Sequence, residues 1–180
     1  MVLNMFFVTL GEEPGWRGFA LPRLQQRYGP VLGTIVLGTL HALWHLPTGF
    51  IAGGPLYPFA LTTFVTFVLT GIAGSFLYTW IYNHARGSIL IAILIHGAAN
   101  AAGTLVSLDL PQNPHLSGLA AALYYDRGSN VIAFGVVAVL LVVFTRGRLG
   151  YNPEQNAQLI EAPRSAEMPA TGAGEQTGRS

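Results

Sequence analysis

Residues 1–26, MVLNMFFVTLGEEPGWRGFALPRLQQ, begin with ten uncharged positions and then set Glu12, Glu13 and Arg17 directly against them. Two readings compete. The charges could form an interfacial turn that caps a short helix. Alternatively, one helix runs on to Gln26 and carries its charges inside an apolar setting. The remainder of the chain has to decide between a solvated surface and a membrane interior.

Composition favours the membrane. Of 180 residues, 51% are hydrophobic and 9% charged, with a mean hydropathy of +0.46. Soluble domains carry about 25% charged residues, so this chain lacks the polar surface a water-soluble fold needs. Long uncharged runs span Val31–Ile51, Pro58–Tyr82 and Ser88–Leu108, each long enough as helix to cross about 30 Å of hydrocarbon. Val131–Thr145 is apolar but shorter, about 22 Å as helix. The expectation is an all-α, polytopic helical membrane bundle over residues 1–146. From Gly147 the chain turns rich in Gly, Pro, Ala, Glu and Gln without apolar periodicity, and residues 147–180 are expected to be a disordered tail.

Arginine placement gives an orientation. Arg23 and Arg27 precede the first full run, Arg86 separates the second and third, and Arg146 and Arg148 follow the last. Alternating spans put all five on one side, whereas the other side holds Arg127 with Asp109 and Asp126. The expectation is a multi-pass integral membrane protein with a cytoplasmic C-terminal tail. The formal net charge of +1 suggests no nucleic-acid partner, and the absence of Cys excludes disulfides and thiolate metal sites.

Polar side chains at membrane depth are costly, so they mark sites or buried pairs. Glu13 and Arg17 stand at i,i+4 and can neutralise each other. Glu12, about 100° round the helix, lacks that partner and reads as a free carboxylate suited to general acid–base work. His41 and His45 share a face in HALWH, and Pro47 ends that helix soon after. His96 and Asn100 share a face in HGAAN, whose small residues let another helix or a bound peptide approach closely. Counted inward from the Arg-bearing ends, Glu12, His45, His96 and Asn100 lie about 12–22 Å deep. Taken singly, each pair is as well explained as interhelical polar contact. Together they suggest hydrolysis by activated water.

The three motifs in this order resemble the intramembrane CAAX protease and bacteriocin-processing family, which includes the type II CAAX prenyl endopeptidases. EEPGWR is similar to its EExxxR motif. HALWH is similar to its aromatic-xxx-His motif, with His41 in the aromatic position, and HGAAN to its HxxxN motif. The likeness covers about Leu10–Gly103. It implies a bilayer-embedded endopeptidase, in a bacterial cell membrane, acting on a peptide or membrane-protein substrate. Glu12 would activate water with help from His45, and His96 and Asn100 would stabilise the oxyanion, with Glu13, Arg17 and His41 supporting. Family members carry several spanning helices before the first motif, so the expectation is a domain incomplete at its N-terminus.

No cofactor is favoured. Zinc is the metal left open, held by Glu12, His45 and His96 or by His41, His45 and His96, since His41 could add a ligand or merely fill the aromatic residue's space; but Asn100 is a poor zinc ligand and Glu12 supplies a base without metal. The rival to the protease is a non-enzymatic immunity or scaffold protein of the same family, its polar residues only joining helices. A transporter is disfavoured because the chain has no internal repeat.

Overall fold

In a computed structural model, residues 2–52, 56, 59–105 and 128–161 are described, and they are helical almost throughout. Helix α1 spans Val2–Glu13 and passes without a break into a π-helical turn, Pro14–Ala20, and then into α2, Leu21–Trp44. The opening stretch is thus continuous helix with its charges inside. Pro14 explains the widened turn, because it has no N–H to offer the Leu10 carbonyl one turn back.

The helical stretch Phe6–Phe50 has 45 residues, about 67 Å if straight and twice what a bilayer core needs. Gly29 breaks it. Its φ of 77° and ψ of 169° lie in a region open essentially to glycine, and Pro30 follows. Beyond this point the chain folds back. A Cβ on Gly33 would sit 2.9 Å from the Leu24 carbonyl carbon and 3.0 Å from the Gln25 nitrogen, so the returning limb presses on the outgoing one. Each limb alone is about one bilayer long.

Pro47 prevents α2 from continuing, and a short 3₁₀ turn, Leu46–Phe50, follows. Helix α3 covers Leu61–His84 and is also long and apolar enough to cross a membrane. Helices α4, Ile89–Leu105, and α5, Gly128–Phe144, are shorter and more apolar. Helix α3 packs between α2 and α5, while α1 packs on α4. Close approach of α2 and α3 depends on Gly38, where a Cβ would lie 2.8 Å from the Ile72 Cα. Leu21, Leu37, Tyr82 and Ala92 form one buried core, and Phe76, Ala138 and Leu149 a second. The outer faces stay apolar: Phe7, Leu32, Leu61, Leu90, Val139 and Phe144 are all exposed. A bilayer solvates such a surface, whereas soluble monomers rarely present one.

Helices α3 and α5 end in the same device. Arg86–Gly87 and Arg146–Gly147 are left-handed, and the glycine N–H groups return to Tyr82 and Val142 carbonyls at 2.9 and 2.7 Å. These arginine turns and residues 22–25 meet at one end of the bundle. There Gln25 and Asn83 exchange amide hydrogen bonds of 3.2 and 2.9 Å, and Asn83 also donates to the Leu149 carbonyl at 2.9 Å.

The expected disordered tail needs correction at its start. A further helix, α6, spans Pro153–Glu161 and packs on α2. Asn152 caps it by accepting from the Glu154 and Gln155 N–H groups at 2.9 and 3.1 Å. Leu149 is fully buried, and Asn156 donates to the Pro22 carbonyl at 2.9 Å. Polar anchoring, with Leu159 packed on the first core, stands in place of a full apolar stripe. The remainder of the tail expectation, residues 162–180, lies outside the described residues.

Candidate active site

The site sits where α1 becomes the π-turn, facing α4 on one side and the returning limb of α2 on the other. Gly97 makes the first approach close, since a Cβ there would fall 2.4 Å from Phe6 Cδ1 on α1. The small residues of HGAAN therefore admit a helix of this chain. The Thr9 hydroxyl lies in the same contact, its single proton shared between the Phe6 carbonyl of its own helix at 3.0 Å and the Ile93 carbonyl of α4 at 3.3 Å. The fold-back at Gly29 makes the second approach, because it returns α2 to the depth of Glu12.

Glu13 is the buried anchor. Its Oε1 accepts from Arg17 Nη1 at 2.7 Å and from His96 Nδ1 at 2.6 Å, with both Glu13 and Arg17 side chains about 1% exposed. A carboxylate can only accept, so His96 carries its proton on Nδ1 in that bond. Arg17 lies over the Tyr78 ring, Cζ to centroid 5.1 Å, and its Nε and Nη2 have no hydrogen-bond partner among the described residues. The aromatic face supplies part of what the missing acceptors do not.

Glu12 is more accessible. Its side chain is 16% exposed, and its Oε2 lies 3.1 Å from His41 Nε2, whose side chain is 12% exposed. The expectation of an unpaired Glu12 is therefore wrong. Its partner is His41, which substitutes for the aromatic residue of the motif. His41 and His45, one turn apart, have ring centroids 5.5 Å apart, and His41 and His96 are separated by the same 5.5 Å. His45 closes α2, its carbonyl taking both the N–H and the hydroxyl of Thr48 at 3.0 and 2.7 Å.

One ligand atom each from Glu12, His41 and His45 lies within 4.8 Å of the others. That set differs from both expected ones, Glu12 with His45 and His96 and His41 with His45 and His96, by leaving out His96. The difference arises because Glu13 holds His96, while His41 and His45 share the face that meets Glu12. Asn100 follows His96 by one turn on α4 and is half-buried. Sequence reasoning passed over Tyr78, whose ring is 5.8 Å from His96, and Trp16, 5.0 Å from His41. A lone tyrosine within an uncharged span carries no spacing signal. For Trp16, its place inside the EEPGWR motif was the available hint.

The arrangement offers a reachable carboxylate, three imidazoles and a buried cation within one small volume. Residues 1–102 match the family model described as type II CAAX prenyl endopeptidase Rce1-like. The chain is also 30% identical over 128 residues to CAAX prenyl protease 2 of Methanococcus maripaludis, covering 64% of this chain and 46% of that protein. It thus spans about half the length of the curated relative it matches. No solved structure matches it.

Proposed function

Because the chain belongs to the type II CAAX prenyl endopeptidase Rce1-like family, we propose that it hydrolyses a peptide bond within the membrane by water activated at Glu12. The supporting observation is the placement of Glu12 beside His41 and His45, partly accessible, while the neighbouring Glu13 is sealed against Arg17. Glu12 takes a proton from water as the water oxygen attacks the scissile carbonyl carbon, with His45 holding the water. The developing oxyanion is met by the Asn100 amide and, because Nδ1–H of His96 is committed to Glu13, by His96 Nε2 in the imidazolium form of that ring. Collapse breaks the C–N bond, and Glu12 returns its proton to the leaving amine. Each step uses a group suited to it: a positioned acid–base contributes about 10²–10⁴-fold, and oxyanion donors about 10²–10³-fold.

The protein is read as a multi-pass membrane enzyme whose arginine turns and C-terminal segment face the cytoplasm. The relative's name makes a prenylated CAAX-type peptide tail the first substrate to try. The alternative, a membrane scaffold or immunity protein of the same family, draws on the Glu13–Arg17–His96 contacts, which join helices with or without chemistry. Purified chain in liposomes, incubated with an internally quenched farnesylated peptide, separates the two. The expected result is a new C-terminal fragment by mass spectrometry. Intact peptide after incubation with folded protein would remove the protease reading for this substrate class and favour the scaffold.

A further inference from the structure

Position 41 departs from the family motif, and the departure places an extra imidazole against the proposed base. We propose that Glu12, His41 and His45 form a site for a zinc-type divalent cation, and that its occupation inhibits the hydrolysis proposed above, on which reading the inhibition rests. Zinc holds nitrogen and oxygen ligands at about 2.0–2.2 Å, which sets the edge of a tetrahedral site at about 3.3 Å. Glu12 Oε2 and His41 Nε2 are already 3.1 Å apart. The three ligand atoms span at most 4.8 Å, so closing the set takes about 1.5 Å of side-chain adjustment.

The donor set selects the class of metal. Two imidazoles and one carboxylate suit zinc and its transition-metal neighbours, whereas magnesium and calcium require oxygen cages. His41 and His45 are one turn apart on a single helix, and both Glu12 and His41 keep some exposure, so an ion can reach them. The ligands must be neutral imidazoles and an ionised carboxylate, with the His41 proton carried on Nδ1, so binding weakens as pH falls.

Inhibition follows from the carboxylate inventory. In zinc peptidases of the HExxH type, the base is a glutamate that is not one of the metal ligands. Here a bound ion beside Glu12 lowers the basicity of its carboxylate, and Glu13 already accepts from Arg17 and His96 with about 1% exposure. Neither carboxylate is left to deprotonate water.

The test uses full-length chain in detergent without a polyhistidine tag, titrated with cobalt(II) as the spectroscopic probe and then with zinc as competitor. Wild type should give saturable visible bands of a low-coordinate cobalt site at about one ion per chain, erased by zinc. His41→Phe, which restores an aromatic residue, and His41→Asn should both lose those bands. Cleavage of the farnesylated peptide by wild type should fall with zinc and recover on chelation, and whatever cleavage the His41 variants retain should not respond to zinc. Absence of saturable bands in wild type, or identical bands in both variants, would overturn the site without touching the protease reading. Faster cleavage with zinc than without would overturn the inhibition.

Discussion

His96 Nδ1 lies 2.6 Å from Glu13 Oε1, a buried bond between residues 83 positions apart that ties α4 to the end of α1. The same oxygen accepts from Arg17 at 2.7 Å, so one carboxylate holds two helices and a cation. Removing it leaves Arg17 buried without a counter-charge. Glu13→Ala should lower stability by about 3–5 kcal/mol, as expected when one partner of a buried pair is removed. A thermal-unfolding cycle with Glu13→Gln and His96→Phe should show a coupling of about 0.5–3 kcal/mol. Additive effects would mean that the contact carries no energy of its own.

Gly97 sets the distance between α1 and α4. Gly97→Ala places a methyl 2.4 Å from Phe6 Cδ1, and overpacking of this kind costs about 1–3 kcal/mol. Phe6→Leu in the same chain should recover part of the loss. Unfolding midpoints in detergent measure both, and absence of rescue would place the strain elsewhere.

A Cβ added at Gly29 would find open space, so substitution there tests backbone geometry alone. Gly29→Ala should cost about 1–3 kcal/mol through its dihedral angles. It should also reduce cleavage at temperatures where the protein stays folded, because His41 and His45 reach Glu12 only through this fold-back. Unchanged activity and stability would show that the kink is dispensable.

Helix α6 is predicted to be part of the folded unit. Asn156→Leu leaves the buried Pro22 carbonyl without its side-chain donor, a loss of about 1–3 kcal/mol. Leu159→Ala should also destabilise, since that side chain packs against the core and against Gly87. Wild-type unfolding midpoints for both variants would put α6 outside the folded unit.

Much of this was legible in the sequence, and the remainder has physical reasons for being hidden. Uncharged runs marked the returning limb of α2 and helices α3 to α5 because lipid demands them, and the i,i+4 spacing of Glu13 and Arg17 announced their pair. The partner of Glu12 was hidden, because nothing local says which of several histidines a fold-back will return to it. Tyr28–Gly29–Pro30 signals a break but not its angle, which packing of Gly33 on Leu24 decides. Helix α6 has few apolar residues, so composition pointed to disorder. Its Asn152–Pro153 start, a capping residue followed by proline at the first helical position, was a readable signal that composition outweighed.

The central claim is that Glu12, and not Glu13, activates water. The direct measurement is the rate of farnesylated-peptide cleavage in liposomes by Glu12→Gln against wild type, with membrane accumulation and unfolding midpoint recorded for both. Glutamine keeps the size and can still bond His41, so the fold should persist while cleavage falls about 10²–10⁴-fold, the contribution of a positioned base. Cleavage by Glu12→Gln at the wild-type rate would contradict the account.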